Sequence, residues 1–189
     1  MADIIRAAIT FFLSNYSFTF FLIGLVVSLI ALARSQGGIT RALIVEKLLA
    51  WYVLFSIGVD NLYNFVMHVF GEMSARFIGW ADSPFQLEVG MASLGFAVVG
   101  FLAALRSFDL RLAAIIGPGV FTLGAAVGHI QQMITAHNFA PGNAGLIFWT
   151  NILIPVFGFA LLWLERRFGK PASSASPRRE EVKGETKAA

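Results

Sequence analysis

Hydrophobic residues in this chain gather into five runs, each longer than the apolar face of a soluble helix requires. The first covers Thr10–Ala33 and contains no charged side chain; the second, Ala42–Phe70, is interrupted by Glu46, Lys47 and Asp60. The others are Pro84–Leu105, Leu112–Ala136 and Gly145–Leu164. At about 1.5 Å of rise per residue, each reaches across a hydrocarbon layer roughly 30 Å thick. In lipid a helix satisfies its own backbone, so the pattern predicts five membrane-spanning helices in an all-α bundle. The first run exceeds the apolar stretch of a secretion signal, and no small-residue cleavage motif follows before Arg34. It is therefore read as a permanent span.

Composition narrows the function classes. Of 189 residues, 57% are hydrophobic and only 13% charged, where soluble domains carry roughly 25% charged residues. That excludes an ordinary soluble enzyme and a disordered chain. The net charge is only +3, with the bases at helix ends and in the tail, so no nucleic-acid partner is expected. Absence of cysteine excludes disulfides, thiolate metal sites and cysteine nucleophiles.

Basic residues set an expected orientation. Arg34, Arg41 and Lys47 lie between the first two spans, and Arg106 and Arg111 between the third and fourth; seven more run from Arg166 to Lys187. The opposite side has only Arg6 and Arg76. The positive-inside rule then places the N-terminus outside and the C-terminus in the cytoplasm, which requires an odd number of spans. Residues 1–168 are read as the bundle and 169–189 as a disordered polar and basic cytoplasmic tail, too poor in apolar residues to fold.

Local signals predict caps and packing. Ser83-Pro84-Phe85-Gln86 has the form of a capping box, with Ser83 accepting from the Gln86 amide and the Gln86 side chain returning to Ser83. Asn143 stands where it can cap the fifth span. Gly124 and Gly128 form a GxxxG pair expected to bring helices together, and Gly24 with Ser28 a weaker one.

Polar residues inside these runs carry the candidate chemistry, since each ionisable group deep in lipid costs from about 2.5 kcal/mol upward. In the second span Tyr52, Ser56, Asp60, Asn64, His68 and Glu72 follow at four-residue steps, a polar stripe expected to face the bundle interior. Glu88 in the third span, His129 and Gln132 in the fourth and Asn151 in the fifth fall at a similar depth once the topology is imposed. The expectation is one outward-facing cluster of Asp60, Asn64, His68, Glu88, His129, Gln132 and Asn151. His68, His129, Glu88 and Asp60 together would suit zinc, iron, manganese or copper. Another use is a pocket for a small polar or lipid-like molecule. His129 beside Glu88 or Asp60 would make an oriented general base, although no nucleophile motif accompanies it. The bland reading is a paired network that fixes one packing arrangement. Glu46 and Lys47 are read as anchors at the cytoplasmic end.

The segments GWADSPFQLEVG (Gly79–Gly90), Gly128-His129 and NFAPGNAG (Asn138–Gly145) resemble an uncharacterised family of small bacterial multi-helix integral membrane proteins. The resemblance runs through about Leu164. It implies an inner-membrane protein and assigns no activity, ligand or catalytic residue. The leading functional expectation is thus a structural or accessory subunit of a membrane assembly, whose partners are the bilayer and either further copies or a larger complex. Binding or transport of a metal ion or small polar molecule is the first alternative, and a small membrane-embedded enzyme the second.

Overall fold

A computed structural model describes residues 1–169; the tail expectation for 170–189 lies outside the described residues. Helices α1 (Ala2–Ser14) and α2 (Tyr16–Ala33) are followed by one continuous helical segment, Arg41–Val69. That segment comprises α3 (Arg41–Tyr52), a π-helical stretch (Val53–Val59) and α4 (Asp60–Val69). Then come α5 (Gly71–Ile78), α6 (Phe85–Ala103), α7 (Phe108–Thr135), the single turn α8 (Pro141–Ala144) and α9 (Leu146–Phe168). Five segments are long and apolar enough to cross a membrane, and no strand occurs among the described residues. The described residues form an all-helical membrane-spanning bundle.

The first run differs from expectation at its start. The helix breaks at Asn15, whose backbone leaves the helical region while its side-chain amide donates to the Phe11 carbonyl at 2.8 Å. The crossing helix is therefore α2, and α1 stands apart with no buried residue. Elsewhere local chemistry sets the ends. Thr40 caps α3 by accepting from the Leu43 amide at 3.2 Å, and Gly79 ends α5 at φ +77°, where a side chain would be strained.

Segment 41–69 is the centre of the bundle and packs against α2, α6, α7 and α9. Small residues line much of the helix contact: Gly24, Ser28, Ala97, Gly100, Ala103 and Ala114 are buried, while Leu29, Leu102, Val120, Val127 and Leu153 face outward. Lipid is as apolar as these large side chains, so burying them gains little; close backbone approach favours small ones. Among the crossing segments, the tightest backbone approach is α6 on the π-helical stretch. A β-carbon at Gly100 would lie 2.6 Å from the Gly58 nitrogen and 2.9 Å from its Cα.

The GxxxG expectation is corrected here. Gly124 faces outward with nothing near its missing side chain, and Gly128 accommodates the Trp80 ring rather than a helix backbone. The weaker pair is the one that packs: Gly24 meets the Trp51 carbonyl, and Ser28 donates to the Gly24 carbonyl at 2.7 Å. Gly100→Ala should therefore lower stability by about 1–3 kcal/mol, because backbone cannot step aside. Gly124→Ala should leave it unchanged or raise it by up to about 1 kcal/mol. Unfolding in mixed detergent micelles compares the two.

Candidate functional site

Four-residue steps turn a helix by about 400°, so the stripe on segment 41–69 drifts by roughly 40° per step. The structure shows where that drift leads. Tyr52 points to α9, where its hydroxyl donates to the Ile154 carbonyl at 3.0 Å. Asn64 points between α2 and α6. It accepts from the Tyr16 hydroxyl at 2.5 Å and donates to Ser93 Oγ at 2.8 Å, and Ser93 passes its hydrogen to the Val89 carbonyl at 2.8 Å. His68 meets the Gln86 side chain at 2.5 Å at the start of α6. Glu72 has left the bundle and pairs with Arg76 on the exposed face of α5.

Between these, Ser56 and Asp60 face a cavity of about 30 Å³, a volume sufficient for a water molecule or a bare ion. Ser17 of α2, Pro118, Gly119 and Thr122 of α7, and Thr150, Asn151 and Pro155 of α9 also line it. Three irregularities of helix meet here. The π-helical stretch carries Ser56, Pro118 interrupts α7, and Pro155, lacking an N–H, leaves the Asn151 carbonyl without its helical donor. Asp60 Oδ1 and Ser56 Oγ are buried without a hydrogen-bond partner.

A second assembly closes one end of the bundle. Asn143 is fully buried; its Nδ2 donates to the carbonyls of Asn138 (2.9 Å) and His129 (3.2 Å). That orientation turns Oδ1 toward Trp80 Nε1, which donates to it at 2.7 Å, and toward His129 Nδ1 at 2.9 Å. His129 must then carry its hydrogen on Nδ1. Asn138 donates to the Ile78 and Gly79 carbonyls at 3.1 and 3.0 Å. Gly79-Trp80, Gly128-His129 and Asn138–Gly145, the segments that carry the sequence resemblance, thus form one lock.

At the other end, Arg111 is buried and grips Glu46 with two nitrogens, at 2.6 and 2.9 Å, while also donating to the Ala104 carbonyl at 3.0 Å. Arg111 Nε and Glu165 Oε2 are buried without partners. Between this charged end and the cavity lies the apolar core of Leu49, Val53, Ala114, Ile115, Leu161 and Leu162.

Several expectations change. The single cluster is divided, because the drifting stripe delivers each residue to a different neighbour. Glu88 faces outward in the first turn of α6: its buried face runs through Gly90, Ser93, Ala97 and Gly100, and Glu88 lies off it. The acidic charge is still well placed at a helix N-terminus. Gln132 is half-buried and contributes its carbonyl, which accepts from the Ala136 and Asn138 amides. Asn151 lines the Asp60 cavity. Among the described residues no three His, Asp or Glu side chains gather to hold a metal ion, so the expected transition-metal set is not assembled. Nor is the oriented general base, since His129 is held by Asn143 and neither carboxylate bonds to it.

Both caps also differ. Gln86 is drawn to His68, and Ser83 instead accepts from the Phe85 amide at 3.3 Å, because the helix opens at Phe85 rather than at the proline. Asn143 is the centre of the lock and does not cap α9. Glu46 is more than an anchor, its carboxylate being held by Arg111 rather than by Arg41 or Lys47.

Sequence reasoning missed Tyr16, Ser93, Trp80 and Arg111 as interior partners. Ser93 had a signal, standing at helical spacing from Gly90, Ala97 and Gly100. Arg111 did not, since a base near a span end reads as a topology marker.

No curated protein and no solved structure matches the chain. Residues 14–171, a stretch that opens at the break before α2 and passes the end of α9, match a family of unknown function, DUF6790, and the chain belongs to that family.

Proposed function

We propose that this chain lies in a bacterial inner membrane, N-terminus outside and C-terminus in the cytoplasm, and binds a small polar species at the Asp60 cavity. The observation that carries this reading is a contrast between polar groups in one bundle. Asn64 and Asn143 have both ends of their amides paired, whereas Asp60 Oδ1 and Ser56 Oγ are buried and unpaired. An unsatisfied buried group costs about 1–3 kcal/mol, and a network kept only for packing gains nothing from it. A site that must accept an incoming species does. Irregular helix within a membrane is tolerated where it lines a cavity, which supports the same reading of the π-helical stretch and the two prolines. The apolar core toward the Arg111 end favours access from the opposite, outer face. A structural or accessory subunit within a larger or homo-oligomeric complex is the second reading, favoured by the fully paired Asn143 lock.

Cysteine is absent, so single cysteines report access cleanly. Thr122→Cys and Thr150→Cys are expected to react with silver ion supplied at the outer face, a thiol reagent small enough for a cavity of about 30 Å³. Leu161→Cys in the apolar core should stay unreactive, and Gly38→Cys should react from the cytoplasmic face alone. Silence of both threonine positions from either face, with Gly38→Cys labelled, would overturn the reading in favour of the structural one.

A further inference from the structure

We infer that the species held at the Asp60 cavity is a single, largely dehydrated alkali-metal cation; this rests on the reading of that cavity as a binding site. The argument is a count of hydrogens. Thr122 donates to the Pro118 and Gly119 carbonyls at 3.0 and 3.2 Å, and Thr150 to the Ile147 carbonyl at 2.9 Å. Tyr52 donates to the Ile154 carbonyl at 3.0 Å, and the Asn61 amide to the Ile57 carbonyl at 2.9 Å. With these hydrogens committed, the Tyr52, Thr122 and Thr150 oxygens can turn lone pairs to the space between them. Ser17, Ser56 and the Asn61 and Asn151 amides keep hydrogens that can rotate away from a cation. Pro118 and Pro155 bring no amide hydrogen. Asp60 adds a carboxylate, Ser56 a free hydroxyl oxygen and Asn151 an amide oxygen.

The lining is largely apolar, but its one charged side chain is acidic and no base faces it, a balance that repels anions and lets the oxygens present favour a hard cation. One carboxylate balances one positive charge; calcium sites collect several carboxylates, and magnesium keeps much of its water. About 30 Å³ is open to the centres of water-sized spheres, room for a few waters at most and not for a fully hydrated ion, so the ion sheds most of its shell on entry. Hydroxyl, amide and carbonyl oxygens from α7, α9 and the 41–69 segment replace that shell. The ion thereby ties three crossing helices together at the point where each departs from regular geometry.

The test is thermal unfolding of the purified full chain in lipid nanodiscs, with sodium chloride or potassium chloride replaced stepwise by choline chloride at fixed ionic strength and pH. At about a hundredfold excess over Kd, an alkali ion should raise Tm by about 5–10 °C, saturating with concentration. Asp60→Asn keeps the shape and removes the charge, and should abolish the rise; Ser56→Ala should weaken affinity severalfold. Gly124→Ala, on the outward face of α7 with open space beside it, should retain the full response. Sodium-23 NMR line broadening, reversed by excess potassium in the native chain, gives a second readout should Asp60→Asn fail to fold. Equal Tm in sodium, potassium and choline would overturn the inference, as would a stabilisation that follows pH alone. Cysteine labelling of the cavity without any ion response would overturn the cation while leaving the binding reading in place. Loss of both would remove the two together.

Discussion

Glu46→Ala is expected to destabilise the bundle by about 3–5 kcal/mol, the loss that follows when one member of a buried ion pair is removed and its partner is left uncompensated. The asymmetry of the pair sets the size. The Arg111 side chain is 4% exposed and that of Glu46 is 44% exposed. Removing Glu46 strands a guanidinium inside the protein, whereas Arg111→Met strands a carboxylate that reaches solvent, so the second loss should be smaller. Glu165, whose Oε2 is buried and unpaired, stands as the reserve partner. Combining Glu46→Ala with Glu165→Ala should therefore cost more than the sum of the single losses. The double variant Glu46→Leu/Arg111→Leu should lie closer to the native chain than Glu46→Ala does. Equilibrium unfolding of the set in mixed micelles decides the matter; a loss from Glu46→Ala no greater than that from Arg111→Met would contradict the account.

Asn143→Leu should cost a comparable amount, about 3–5 kcal/mol, for a different reason. The volume is nearly conserved, so no large cavity opens. Three polar groups lose their partner at once, Trp80 Nε1, His129 Nδ1 and the Asn138 carbonyl, and the His129 carbonyl loses a second donor while keeping its helical one. At about 1–3 kcal/mol for each group left buried and unpaired, even partial rescue by water leaves several kcal/mol. Asn143→Asp keeps an acceptor for Trp80 and His129 but turns a carboxylate oxygen toward the two carbonyls, and should fall between. Imidazole nitrogen-15 shifts supply an independent check: His129 should show the Nδ1–H tautomer in the native chain and lose that preference in Asn143→Leu. A leucine variant within about 1 kcal/mol of native would mean that the lock is held by its backbone turns instead.

Much of the site was legible as residue type and little of it as arrangement. Asp60, Asn64, His68, His129 and Asn151 all stand out because polar groups are costly in an apolar run, and each does face a partner or cavity inside the bundle. Glu88 stood out on the same ground and faces outward, since one turn from a helix start a carboxylate reaches the membrane surface cheaply. Gly124 and Gly128 fit a packing motif that their helix does not use. Small residues permit an approach without choosing which helix approaches, and Gly100 against Gly58 received it.

What the sequence alone determined is the set of properties summed along one strand of chain: helix as the only open backbone solution in lipid, five crossings, and the shortage of polar groups within them. Those are one-dimensional quantities, fixed by hydropathy and length. The division of the polar residues into a cavity, a hydrogen-bonded relay and a terminal lock was decided by tertiary packing. A stripe with a four-residue period winds around its helix, and a π-helical stretch shifts its register, so neighbours in sequence are handed to different neighbours in space. Which helix waits at each angle depends on contacts among all five segments, and no single segment encodes that.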